Sequence, residues 1–276
     1  MKKLVVFLLA VCLMAGSAYS ADRNIIGHLS KLNMTPEEFM QFNDSNVAQG
    51  KIAVFTGGGD PSIQYKHVFY DSLLSMQMAL NAGEVDAISL PEAVGEYFLN
   101  VNDGYKIVSI VRTLPSSLSF GFRANDDPAL RNRFNEALLS MKADGTLAIL
   151  RAKYIDEPGL DEPEPVKFDV YENIDTKIKV AVTGDLPPID FVAADGKPAG
   201  FNTAVLAEIA RRLKVNIELV NIDSGARAAA LASGRADAVF WFQFQKGAEK
   251  QADIPEGITL SESYYGWNEV LNIGKK

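Results

Sequence analysis

"ALNAGEVDAI" at residues 79–88 and "ALASGRADAV" at residues 230–239 are nearly the same ten residues, 151 positions apart (79 to 230). Each reads as a helix end, a glycine turn at Gly83 or Gly234, an aspartate and the start of a short apolar strand. Around the first copy, "YDSLLSMQMALNAG" sets Leu73, Leu74, Met78 and Leu80 roughly on one helical face. The strand "VDAISL", the helix "PEAVGEYFLN" opened by Pro91 and the strand "YKIVSIVR" follow. Upstream, "KIAVFT" (51–56) is β-rich and runs into "GGGDP", where Asp60 is placed to cap a helix and Pro61 to take its first position.

The second copy has the same surroundings. "IKVAVT" is a strand, "GDLPPIDFVAADGKPAG" a loop with a hairpin-like "ADGK", and "FNTAVLAEIARRLK" a helix that Asn202 is placed to cap, with Val205, Leu206, Ile209 and Leu213 as its buried stripe. The strand "VNIELVNI", the helix "SGARAAALASG" and the strand "ADAVFWF" complete the unit. Strands alternating with helices in both units predict an α/β fold with a mostly parallel sheet in each. Between the units lie the extended "LPSSLSFGFR" and two helices, "DPALRNRFNEALLSMKAD", capped by Asp127, and "GTLAILRAKYI". Residues 156–177 hold three prolines and eight acids against two lysines and read as a linker, with "VKFDVY" able to add an edge strand.

The opening "MKKLVVFLLAVCLMAGSAYSAD" has Lys2 and Lys3 before an apolar run, and small residues Ala18 and Ser20 at the positions of a cleavage site. Residues 1–20 therefore read as a secretory signal peptide, too short in apolar length to span a bilayer, which takes about 20 residues. Cys12, the only cysteine, lies within it, so export without disulfides or lipid anchor places the protein in the periplasm. Without that segment 25 basic residues face 35 acidic ones, a formal charge of −10, which excludes nucleic acid and anionic lipid as partners.

The motifs taken together resemble the type II periplasmic solute-binding proteins, in the family that mostly captures polar amino acids. On one lobe the resemblance rests on Pro187 and Pro188, "GKPAGF", "ALASGRADAV" and "SESYYG"; on the other it rests on "KIAVFTGGG", "ALNAGEVDAI" and "MKADGTLAIL". Seven motifs in consistent spacing cover nearly all of the chain after the signal peptide. Their order is rotated, since "KADGT" (142–146) belongs near the family's C-terminus and the strand at 178 near its N-terminus. The resemblance thus implies a circularly permuted, two-lobed fold. One lobe comprises 22–113 completed by 266–276; the other takes its helical part from 116–155 and the rest from 178–264; residues 156–177 join the old ends. "RTLPSSLSF" and "YYGWNEV" would be extended hinge strands.

The family's fold holds a small molecule in the cleft between the lobes, on loops at strand ends. Carried over by position, the ligand-binding candidates are Thr56, Gly57, Gly58, Leu90, Glu92, Thr183, Asp185, Leu186, Phe191, Asp223, Phe242, Gln243, Phe244 and Glu249. The slot of the arginine that grips an amino acid carboxylate falls on Glu249, beside Lys250, and that of the aspartate for the ammonium falls on Pro91. Losing both clamps implies that standard free α-amino acids are not the ligand, at ~1.5–3 kcal/mol for each charged hydrogen bond. Trp241, Phe242, Phe244, Phe191 and the acids instead suit a cationic or uncharged solute. Phe240 and Phe242 read equally well as core, and Asp86 and Asp237 as turn-fixing residues.

His28 and His67, the only histidines, are not in metal-ligand spacing, and no metal or cofactor is expected. "LNMTPEEFMQF" reads as a helix capped at Thr35 that covers the new N-terminal edge. The function implied is a non-enzymatic binding component delivering a small molecule to an inner-membrane ABC permease, with no membrane insertion of its own. A dehydratase-like enzyme on the same scaffold, and a degenerate sensor or partner-binding protein, are the alternatives.

Overall fold

The computed structural model describes residues 24–30, 32–35, 37–39, 41, 53–55, 66–156, 163, 165–172, 174 and 177–276. The expected signal peptide and the helix expected after Asp60 lie outside them. Among the described residues no helix is long and apolar enough to cross a membrane.

The fold is α/β, built on a mixed sheet. Three short strands, β1 (Ile25–Leu29), β3 (Lys66–Tyr70) and β4 (Ala87–Pro91), run parallel with β1 in the middle. Three others, β6 (Lys177–Val182), β9 (Asn216–Asn221) and β10 (Ala238–Gln245), repeat that arrangement with β6 in the middle. The triplets are joined by two long strands, β5 (Tyr105–Arg123, 19 residues) and β11 (Ile258–Lys275, 18 residues), paired antiparallel from Ile258↔Arg123 to Lys275↔Tyr105. β11 lies beside β4 in one half and β5 lies beside β10 in the other, so the halves have the same strand order with the two crossings exchanged. Both stretches read from sequence as extended crossings, "RTLPSSLSF" and "YYGWNEV", lie within β5 and β11.

The ladder between them is broken at mid-length. Trp267 faces Ser116 and Glu269 faces Arg112, so Thr113, Leu114 and Pro115 stand opposite Asn268 alone. A bulge in which one residue has no N–H to donate is a local weak point in an otherwise continuous sheet.

"KIAVFT" does not open the first unit. β2 (Ala53–Phe55) pairs antiparallel with β5, while the first strand of the parallel triplet is Ile25–Leu29. Its Gly27 and His28 weaken the β signal of "IIGHL", whereas the apolar run of "KIAVF" imitates a central strand.

Helix α1 (Leu73–Ala82) is capped by Ser72, whose Oγ accepts from Ser75 N at 3.1 Å, and ends at Gly83 with φ 75°. It buries Met76, Ala79 and Leu80 and exposes Leu74 and Met78. α2 (Glu92–Val101) follows Pro91 as expected, and α3 (Ala129–Ala143) has Asp127 Oδ1 accepting from Ala129 N at 2.9 Å. α4 (Thr146–Arg151) runs into a π-helical turn, Ala152–Asp156. α5 starts at Gly200, two residues before Asn202, which is fully buried inside the helix and is not its cap. Gly200 has φ 83°, and a Cβ there would meet Pro188 O at 2.4 Å, so only glycine fits where α5 leaves the small hairpin of β7 (Phe191–Val192) and β8 (Pro198–Ala199). α6 (Arg227–Ala232) precedes the second decapeptide turn.

The linker is partly fastened: Asn216 Oδ1 accepts from Tyr171 N at 2.9 Å, and its Nδ2 donates to the carbonyls of Tyr171 and Ile174. "VKFDVY" adds no strand; Pro165 makes a single bridge to Ala199. The core forms around Phe120, Phe134, Phe201, Phe240 and Leu138, all fully buried.

Candidate functional site

The C-terminal ends of both parallel triplets point at the middle of the crossing strands. Gln245 at the end of β10 lies opposite Ser116, and Pro91 at the end of β4 lies opposite Val270, on either side of the bulge. The loops leaving these strand ends therefore meet along one seam, the place where α/β sheets put their ligands.

From one half the seam receives the loop after β6. Asp185, 8% exposed, reaches across: its Oδ1 accepts from Leu73 N at 2.9 Å, the first residue of α1, and its Oδ2 accepts from Ser224 Oγ at 2.8 Å. Asp71, just before α1, is so close to the 3₁₀ turn Ser224–Ala226 that a Cβ on Gly225 would lie 2.6 Å from its Oδ1. Burial pushes the Asp185 carboxyl above its ordinary range and the charge of Asp223 adds to this, against the bonds from Leu73 N and Ser224 and the attraction of Arg227.

The other half contributes the segment after β1. Thr35 and Glu38 form a reciprocal capping box, Glu38 N donating to Thr35 Oγ1 at 3.2 Å and Thr35 N to Glu38 Oε2 at 2.8 Å. The cap at Thr35 was legible in the sequence; its place at the seam, with this turn lying against the loop after β10, was not. Asn33 donates to the carbonyls of Ala252 and Gln251, each at 2.9 Å, Lys250 pairs with Glu38 at 3.1 Å, and Met34, Phe39 and Ala252 share a small apolar cluster. Behind it His28 and His67 are hydrogen-bonded at 2.7 Å across β1 and β3, a pairing their separation in sequence concealed.

Beneath the seam lies a buried polar network. Arg227, 0% exposed, makes a two-pronged pair with Asp253 at 2.8 and 2.6 Å, donates to the carbonyls of Ser224 and Trp241, and stacks 3.7 Å from the Trp241 ring centre. Trp241 Nε1 donates to Asp190 Oδ2 at 3.0 Å, an oxygen that also accepts from Thr183 N and Oγ1. Complete burial drives the Asp190 carboxyl up, against those bonds. Asp253 Oδ2 also accepts from Gln243 N at 2.8 Å, so the pair ties the loop after β10 to α6. Arg227 was missed in the sequence because arginine is rarely enclosed and its buried partner Asp253 lies 26 residues away.

The sequence candidates divide along these lines. Asp185, Asp223, Thr183 and Gln243 gather at strand ends in one half, where Gln243 Nε2 donates to Ser116 Oγ at 3.2 Å. Phe191 meets Tyr97 of α2 edge to face across the seam at 6.4 Å. Glu92 opens α2, its carboxyl raised by partial burial and then by Glu96 and Glu269. Leu90, Leu186 and Phe242 are enclosed in the core, as is Phe240, while Phe244 is 40% exposed and Glu249 lies on the surface. Thr56, Gly57 and Gly58 lie outside the described residues.

Residues 178–259, less than a third of the chain, match the model of the bacterial extracellular solute-binding proteins, family 3. No curated protein is significantly similar to the chain. Among solved structures it is similar to the ligand-binding component of an ABC-type import system from Staphylococcus aureus with zinc bound, at 10% identity and a TM-score of 0.44, covering 91% of this chain and 65% of that one. The periplasmic aliphatic sulphonate-binding protein SsuA from Escherichia coli gives 11%, 0.40, 93% and 66%; a putative L-cystine ABC transporter from Listeria monocytogenes gives 11%, 0.39, 92% and 83%. The chain thus spans 65–66% of the length of the first two, and at such low TM-scores none of these likenesses bears on function.

Proposed function

We propose that the protein is a periplasmic solute-binding component that captures a small molecule between two lobes and presents it to an inner-membrane ABC permease. The observation that carries this reading is the pair of crossing strands, β5 and β11, which join two similar α/β halves and are broken together at Thr113–Pro115, opposite Asn268. Two halves whose covalent joins include such a broken crossing can hinge there, and the loops at their strand ends then open and close on a ligand. The family match over 178–259 supports the reading for one half.

On this reading residues 22–113 with 266–276 form one lobe, and 116–155 with 178–264 the other. The acidic stretch 156–177 bridges the ends that a circular permutation would have joined, a rearrangement surface termini tolerate. The ligand is not a standard free α-amino acid. Among the described residues beside the seam, Arg227 is paired with Asp253, Arg112 with Glu269 and Lys250 with Glu38, and the nearby acids Asp185, Asp223 and Asp71 disfavour a carboxylate.

Native mass spectrometry of protein purified without refolding, combined with thermal shift against a solute library, tests this. A retained small molecule, or a solute that raises Tm with saturation, is the expected result. A large shift with glutamate or glutamine would overturn the ligand class. The absence of any binding solute would favour a sensor or partner-binding protein.

A further inference from the structure

Asp185 and α1 come from different halves, 112 positions apart in sequence, yet the carboxylate sits at the helix end as an external anion would. A helix N-terminus offers free N–H groups and the positive end of the helix dipole. At α1, a helix of ten residues, Asp185 Oδ1 takes Leu73 N, Ser72 Oγ takes Ser75 N and Ser72 O takes Met76 N. The second carboxylate oxygen is held by Ser224 Oγ within the half that carries Asp185. Asp185 is thus aimed by its own half and received by the other, and it is more than nine-tenths buried in that position.

We infer that Asp185 is a tethered counter-ligand: its carboxylate occupies the anion-accepting end of α1, holds the two halves shut without a diffusible ligand, and bars a solute's carboxylate from that position. The inference rests on the reading that the halves move as lobes. It makes Asp185 a specificity-determining residue of the seam, one that selects against anions by filling their place. Asp71 and Asp223, beside the same contact, add like charge against any incoming anion.

The test is chemical rescue in the full chain. Asp185→Gly removes the carboxylate and leaves its space, and hydrogen exchange at the Leu73 amide together with small-angle scattering reads the contact and the shape. Expected are a loss of Leu73 protection of about tenfold or more, a larger radius of gyration, and recovery of both with sodium formate but not with sodium chloride at equal ionic strength. The wild type should respond to neither salt. Unchanged protection and shape in Asp185→Gly, or equal responses to formate and chloride, would overturn the inference.

If Asp185→Gly does not fold, Asp185→Asn keeps an acceptor oxygen without the charge. It should lower protection at Leu73 while leaving β6 and β10 unaffected; no loss, or an equal loss throughout, would overturn the inference as well. Solute capture is scored separately, by native mass spectrometry of the wild type. A retained solute beside an unaltered Asp185→Gly therefore rejects the latch alone, and formate rescue of Asp185→Gly beside a wild type that binds no solute rejects the capture alone.

Discussion

Asp86 and Asp237, the aspartates of the two decapeptides, make the same pair of bonds 151 residues apart (86 to 237). Asp86 Oδ2 accepts from Ile25 N at 2.8 Å while its own N–H donates to Ile25 O; Asp237 Oδ2 accepts from Lys179 N at 2.8 Å while its N–H donates to Lys179 O. Each clamps the middle strand of its triplet to the strand that follows the glycine turn. The repeat exists because each half needs the same clamp, and the bonds identify Ile25–Leu29 as the counterpart of Lys177–Val182.

Replacing either aspartate by alanine removes a charge-assisted bond and leaves a strand N–H without its partner. Each of Asp86→Ala and Asp237→Ala is expected to cost about 1.5–3 kcal/mol, measured by urea unfolding. Sites this far apart in the fold should add within about 0.5 kcal/mol in the double variant.

Arg227→Met strands the Asp253 carboxylate in the interior, an imbalance expected to cost about 3–5 kcal/mol. The double variant Arg227→Met/Asp253→Leu should recover part of that loss. Because the guanidinium lies 3.7 Å from the Trp241 ring centre, the single variant should also change tryptophan emission under native conditions.

Gly200→Ala forces a side chain into positive φ and against Pro188 O. A loss of about 1–3 kcal/mol is expected, with the hairpin Phe191–Ala199 losing hydrogen-exchange protection before the rest of the sheet.

Carboxyls pull stability in opposite directions with pH. Bonds from the Thr146 hydroxyl and amide, then Arg212, hold Asp144 at about 2. Its folded pKa lies below the unfolded value of about 3.9, so its contribution is present above that value and lost as pH falls toward 2. Asp190 is raised by burial, so it favours folding below the unfolded pKa, and that contribution is lost as pH rises through the folded one. NMR titration of Asp144 should give a midpoint near 2, and Asp144→Asn should flatten the acid limb of the stability profile. Asp190→Asn should flatten the opposite trend.

Glycine turns, apolar strands and both crossings were legible in the sequence because each is written in local chemistry: Gly83 and Gly234 at helix ends, the apolar "YKIVSIVR" and extended "LPSSLSFGFR" of β5, Pro91 before α2. What the sequence hid was partnership. "KIAVF" and "IIGHL" are both short apolar runs, and only pairing shows that the first lies against β5 and the second lies central. Asp185 was marked as a seam residue, but its partner is the backbone of Leu73, and a backbone donor leaves no trace in residue type. Asn33 and Glu38 were hidden for a related reason: they read as an ordinary capped helix until the loop carrying Lys250 and Gln251 is placed against them.

Residues 266–275 of β11 lie between β4 and β5, in the half whose other strands come from the beginning of the chain. A ribosome emits 5–20 residues each second, roughly, and domains tend to fold as they emerge. The half made first must therefore wait, with a slot open in its sheet, until more than 140 further residues have been synthesised after β5. The half made later has its strands complete once Ile258–Tyr264 has emerged. Biosynthesis and assembly thus run in opposite order, and the early half spends the interval as a client for whatever shields unpaired strands.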